Sequence, residues 1–239
     1  MKPWETIAKA TAPDGVELVL ARRDEEWVVR AGGSTLMSSR QHASEEALAT
    51  LALERASRRR RVLVGGLGFG FTLRAVLDRV PVDASVEVAE LVPAVVAWNR
   101  EHLARLAGRP LDDRRVALHE GSVKGRIRAA RGRYDLILLD VDNGPSSVAH
   151  ADNDSLYGVA GIASCHAALA EDVVLAVWSA APDPRFVNRL GQNGFSAEAI
   201  EVGGRGPGGG GPRHVVFVGV KRPELGDLPG AARARGRRG

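Results

Sequence analysis

Hydrophobic positions change rhythm near residue 60. Before it, Val16-Glu17-Leu18-Val19-Leu20, Trp27-Val28-Val29 and Thr35-Leu36-Met37 come in short bursts punctuated by Asp14-Gly15 and Gly32-Gly33. That pattern predicts a small antiparallel β-element. Ser44, followed by Glu45 and Glu46, is placed to cap a helix running to about Ser57, because a hydroxyl satisfies free amides and acids favour the positive end of a helix. From Val62 onward, short apolar runs alternate with longer helical stretches. Strands are expected at Val62–Val64, Val86–Ala89, Val116–Leu118, Tyr134–Leu139 and Val173–Trp178, with helices near 71–79, 93–107, 123–130, 156–170 and 184–193. Strands that read as unbroken apolar runs, such as Leu136-Ile137-Leu138-Leu139, are covered on both faces. Alternating β and α therefore predicts a parallel sheet between two layers of helices.

The last two segments break the alternation. Phe195–Val202 and His214–Val220 have no helix between them, only the glycine-rich stretch 203–213, so they pair antiparallel. A mostly parallel seven-stranded α/β sheet closed by such a hairpin is the Rossmann-like architecture of the class I methyltransferase-like fold. The expected organisation is an N-terminal β-element over 1–43, a Rossmann-like nucleoside-binding catalytic domain over 44–220, and a disordered basic tail over 221–239.

Composition sharpens this only in places. The 239 residues are 44% hydrophobic and 26% charged, the balance of a soluble globular chain. The net charge of +4 resides entirely in residues 221–239, which leaves the rest neutral. The basic character is thus a property of the tail, and a nucleic-acid partner is not expected. Arg58 to Arg61 are read as a solvated helix end. Cys165 is the lone cysteine, which excludes an internal disulfide and a Cys-rich metal site. No membrane span or signal-peptide core is visible, so a cytoplasmic location is expected.

The candidate chemistry lies at the carboxyl ends of the strands. Val62-Leu63-Val64-Gly65-Gly66-Leu67-Gly68-Phe69-Gly70 runs from a strand into a helix. Glycines at Gly65, Gly66, Gly68 and Gly70 let a ligand approach bare backbone and the free amides of a helix start. The spacing is not the G-x-G-x-x-G of dinucleotide sites, which favours a nucleoside without a pyrophosphate. Glu90 ends the next strand, twenty residues after Gly70, where a carboxylate accepts both ribose hydroxyls. Ser122, in the loop after the third strand, is expected to offer a hydrogen bond near an adenine ring. Asp140 ends the fourth strand and points into the same crevice. No G-x-S-x-G elbow or G-x-x-x-x-G-K-[ST] loop is present, so hydrolase and P-loop chemistry find no support. His150-Ala151-Asp152 offers two metal ligands without a third, and no metal is expected.

Tyr134 to Pro145, the glycine turn and Glu90 together resemble the spermidine synthase family, the polyamine aminopropyltransferases. Those proteins carry a G-G-G-x-G-G turn, an E-I-D acid at the second strand and Y-D-x-I-x-x-D-x-x-D-P at the fourth. The resemblance spans roughly residues 16–220. It implies Asp140 as the catalytic acid, Glu90 as the ribose ligand and Gly66 and Gly68 as the nucleotide turn. It also implies an acceptor site drawing on Asp142, Asp152, Asp154, Tyr157 and Glu46. The implied donor is decarboxylated S-adenosylmethionine, the acceptor an amine or polyamine, and the assembly a homodimer through the N-terminal region. Departures are specific: Asn143 replaces the second acid of the D-x-x-D pair, and Val92 the acid after Glu90-Leu91. Of the family's D-E-x-x-Y-H-E stretch only Glu46 survives in Arg40–Glu46, the adenine-binding acid is Ser122, and Leu67 and Phe69 make the turn apolar. A methyltransferase using intact S-adenosylmethionine is the alternative on the same fold, and a non-catalytic nucleoside-binding protein is the third reading.

Overall fold

The computed structural model describes residues 2–141, 144–145, 156–205 and 211–221. Asp142, Asn143, His150, Asp152, Asp154, the centre of the glycine-rich stretch and the tail beyond Lys221 lie outside the described residues.

Two sheets form. The first is antiparallel throughout, in the order β1 (Glu5–Thr11), β2 (Glu17–Arg23), β3 (Glu26–Ala31) and β4 (Ser34–Ser38). β1 extends the expected element toward the N-terminus. Its sequence ETIAKAT is only partly apolar and its residues are never fully buried, so it carried no hydrophobic burst to announce it.

The second sheet has seven strands, β5 (Arg61–Gly65), β6 (Ser85–Glu90), β7 (Val116–Glu120), β8 (Tyr134–Leu139), β9 (Leu169–Ser179), β10 (Phe195–Gly203) and β11 (Arg213–Lys221). Their spatial order is β10-β11-β9-β8-β5-β6-β7. β5 to β9 are parallel, and β11 and β10 close one edge antiparallel. The chain leaves β5 for β6 on one side and returns to it through β8 on the other. That reversal opens a crevice at the carboxyl ends of β5 and β8, where ligands of open α/β sheets sit.

The unbroken apolar run of β8 has a clear cause: every residue from Tyr134 to Leu139 is buried. Leu136 and Leu138 face one core, which α1 (Ala43–Arg55), α2 (Phe71–Leu77) and α3 (Pro93–Glu101) cover. Ile137 and Leu139 face the other, beneath α4 (Val123–Ala129), α5 (Val159–Ala168) and α6 (Pro184–Gln192). α6 starts as its sequence dictates, with Asp183 accepting from the amides of Arg185 (2.9 Å) and Phe186 (3.2 Å) and Pro184 at the first position; a Pro there forfeits no amide bond.

Four expectations are corrected. Ser44 lies inside α1 and is buried; His42 takes the cap position and makes no side-chain cap bond. α3 ends at Glu101 because the following residues form turns rather than more helix. β9 begins at Leu169, so the helix read over 156–170 closes at Ala168. The arginine run is not wholly solvated either: Arg61 opens β5 and pairs with buried Asp135 at 2.8 Å.

Candidate active site

The glycine turn is shaped by close approach. Gly66 has φ +89°, and a Cβ there would lie 2.1 Å from the carbonyl oxygen of Asp140. Its amide donates to Ala89 O at 2.9 Å, while the amide of Asp140 donates to Gly65 O at 2.8 Å. β5, β6 and β8 are thereby locked together where they end. Gly70 (φ +87°) caps α2, and a side chain there would strike Pro110. Leu67 and Phe69, the apolar residues of the turn, are buried in the first core. They anchor the turn from below and leave its backbone to face the crevice.

Asn99 of α3 was not singled out by the sequence. Its side-chain amide donates to Gly68 O (2.8 Å) and Val95 O (2.9 Å), tying the turn to the helix. A lone Asn on an otherwise apolar helix face was the available signal.

Glu90 is 7% exposed and points at the turn. Its Oε2 accepts from the Leu67 amide and its Oε1 from the Val92 amide, each at 2.8 Å. Burial pushes its pKa up, opposed by those amides. The amides of Gly68 and Leu91 also act on this carboxyl, so it is held by neutral backbone donors at the edge of the turn.

Asp140 follows directly on β8. The Thr72 hydroxyl of α2 donates to its Oδ2 at 2.6 Å, and the Glu45 carbonyl lies 3.4 Å from the same hydroxyl oxygen. Loss of solvation pushes the Asp140 carboxyl up to about 6, against the Thr72 bond and with help from the charge of Glu90. Glu45 is the neighbour the sequence did not single out. Its carboxyl is raised well above the usual range by burial first, then by the charges of Asp140 and Glu46, and its Oε2 is buried with no hydrogen-bond partner. Glu46, singled out instead, turns outward and pairs with His42 at 3.0 Å. The two adjacent acids differ only in helix phase, which the capping position sets, and the misread cap at Ser44 hid this.

The remaining sequence-selected residues divide. Tyr157 is buried, and its hydroxyl donates to Val141 O at 3.0 Å, bracing the segment that follows Asp140. Ser122 caps α4, its Oγ accepting from the Lys124 amide at 3.3 Å. Asp142, Asp152 and Asp154 lie outside the described residues. Among the described residues, no cationic side chain bonds to Asp140, Glu45 or Glu90, and no cluster of three His, Cys, Asp or Glu could hold a metal. No described helix is long and apolar enough to cross a membrane.

The switch in strand order, the hairpin at the sheet edge and the glycine turn leading into α2 define the class I methyltransferase-like fold. Within it, the chain belongs to the spermine/spermidine synthase domain family, whose domain matches residues 41–183. It is 32% identical over 116 residues to the polyamine aminopropyltransferase of Clostridium perfringens (strain SM101 / Type A), and equally to that of strain 13. Those matches take in 48% of this chain and 38% of each relative, so the alignment spans about two fifths of their length. Among solved structures, spermidine synthase from Thermotoga maritima superposes with a TM-score of 0.70 at 19% identity, covering 90% of this chain and 72% of that one. A spermidine synthase in complex with the transition state analogue AdoDATO gives the same figures. A probable spermidine synthase from Corynebacterium glutamicum gives 0.62 at 13% identity, covering 92% and 81%.

Proposed function

We propose that this protein is an enzyme that transfers an aminopropyl group from decarboxylated S-adenosylmethionine to an amine. The supporting observation is the solvent-poor carboxyl of Asp140, fixed beside the glycine turn and without a cationic partner among the described residues. In this reading Gly66, Gly68 and Gly70 admit the adenosine, and Glu90 accepts its ribose hydroxyls. Asp140 orients the acceptor amine and takes its proton. The amine lone pair forms the new N–C bond as the C–S bond of the sulfonium breaks, releasing a neutral thioether. Such a donor is already activated, so alignment is the main task of the site. Glu45, from α1, supplies the second carboxyl that Asn143 no longer provides.

The charge pattern distinguishes the two donors. Intact S-adenosylmethionine brings a carboxylate into a site lined by Asp140, Glu45 and Glu90, three acids that bond to no cationic side chain among the described residues, whereas the decarboxylated donor brings only positive charge. Calorimetry with both donors and with methylthioadenosine tests this. Tighter binding of the decarboxylated donor is expected. Preference for the intact donor would convert the reading to a methyltransferase, and nucleoside binding without turnover across an amine panel would favour a non-catalytic role.

A further inference from the structure

Thr72 stands between Asp140 and the start of α1. Its side chain is buried, at 2% exposure, and its hydroxyl has two acceptors in reach. Asp140 Oδ2 lies at 2.6 Å and the main-chain oxygen of Glu45 at 3.4 Å. A hydroxyl has one proton to donate, so the nearer and charged acceptor takes it. Hydrogen bonds to an ionised oxygen are about twice as strong as neutral ones. Among the described residues, no group donates to Asp140 Oδ1, and Thr72 is the one side chain bonded to the carboxyl. The backbone of Asp140 is fixed separately: its amide donates to Gly65 O at 2.8 Å, and its carbonyl lies against Gly66. The carboxyl is thus anchored at its main chain and at a single oxygen.

From this geometry we infer that Thr72 is a positioning residue for the transfer: it commits Oδ2 to the protein and leaves Oδ1 to take the amine's proton. The inference rests on the aminopropyl-transfer reading and adds to it a residue that acts through Asp140. In the step, an N–H bond of the acceptor breaks, its electron pair stays on nitrogen, and the proton bonds to Oδ1. That nitrogen pair then forms the N–C bond as the C–S pair leaves with sulfur. Oδ2 accepts from Thr72 before and after, so the carboxyl plane keeps its aim through the transfer. The hydroxyl also sets how strong a base Asp140 is. The titratable groups facing it are Glu45 from α1 and Glu90 from β6, both acids. β5 presents only the glycine backbone of Gly65 and Gly66, and α2 presents Thr72. Burial and two neighbouring acids all favour the protonated form, and Thr72 is the side chain that opposes them. Without it, Asp140 would hold its proton into the neutral range and be less available as a base there.

The test titrates Asp140 in the full chain by carbon-13 NMR of carboxyl-labelled aspartate, with Asp140→Asn assigning the signal. In parallel it reads kcat and kcat/KM against pH with decarboxylated S-adenosylmethionine and putrescine. The wild-type midpoint is expected at about 6. Thr72→Val keeps the side-chain shape and removes the hydroxyl; it should raise the NMR midpoint and that of kcat/KM by about one pH unit. At pH 9, where both proteins hold Asp140 ionised, kcat should still fall about tenfold, because a stronger base with poorer aim works less well. The methylthioadenosine Kd should stay within about twofold, since Thr72 acts on the base and not on the nucleoside turn. Thr72→Ser restores the donor and should return both midpoints to within about a third of a unit of wild type. If Thr72→Val does not fold, Thr72→Ala set against Thr72→Ser makes the same comparison. A midpoint left in place by loss of the hydroxyl, or a serine variant that behaves like the valine one, overturns the inference. Absence of turnover in the wild type overturns the parent reading, and the NMR midpoints then decide the link between Thr72 and Asp140 by themselves.

Discussion

The two ends of the parallel sheet treat the same residue types in opposite ways. At the amino ends, Asp135 of β8 accepts from the amides of Arg60 and Arg61, each at 3.0 Å, and from the Arg61 guanidinium at 2.8 Å. Glu87 of β6 is held by Arg126, by Arg133 at 3.2 Å and by the Tyr134 hydroxyl at 3.1 Å. Burial would raise both carboxyls, yet their hydrogen bonds and arginines keep both below the usual range. At the carboxyl ends, Asp140 follows the same β8 and Glu90 ends the same β6, and both are raised. The difference is partnership: two acids are neutralised as part of the scaffold, and two are kept buried with only neutral donors. Carboxyls held in that second condition mark a candidate functional site.

Exchanging the acid at each end sharpens the contrast. Asp140→Asn should lower turnover about a thousandfold, the scale of a lost base, while raising the melting temperature at pH 8. The sign follows from the raised pKa. The folded state holds the Asp140 proton up to about pH 6, whereas an unfolded Asp loses it near pH 3.9. Stability from this group is therefore complete below that lower value and fades as pH rises through about 6, leaving a cost of about 3 kcal/mol that Asn removes. The wild-type rate should climb through the same pH, and a flat profile between 5 and 7 would remove Asp140 from proton transfer. Glu90→Gln should weaken methylthioadenosine binding about 10- to 100-fold, as expected for hydrogen bonds to a charged group; unchanged calorimetric affinity would place the ribose elsewhere. The mildest change in function belongs to the other end. Asp135→Asn should cost about 1–3 kcal/mol in urea unfolding through unmatched amides, with activity per folded molecule within twofold. Because the Asp135 pKa is lowered, its contribution is present above the ordinary carboxylate range and disappears as pH falls through the folded value. The gap between variant and wild type should close in acid.

Much of this was legible in the sequence. The apolar run of β8, the Asp183-Pro184 helix start and the β10–β11 pairing all follow from local chemistry, and so does the gathering of Gly66, Glu90 and Asp140 at strand ends. What escaped depended on tertiary placement. β1 is an edge strand with little apolar content. The choice between Glu45 and Glu46 depends on one step of helix phase, and Ser44 capping was overridden by packing. Asn99 and Thr72 act only through neighbours distant in sequence, which no periodicity reveals.

The contact of Gly66 against the main chain of Asp140 makes the two halves of the crevice a single mechanical joint. Neither the bend that would admit the nucleoside nor the acid that would receive the proton can drift without dragging the other. A lineage built on this joint has freedom only outward from it, at the rim where the acceptor enters. Diversification is then expected in the second substrate, while the first stays fixed.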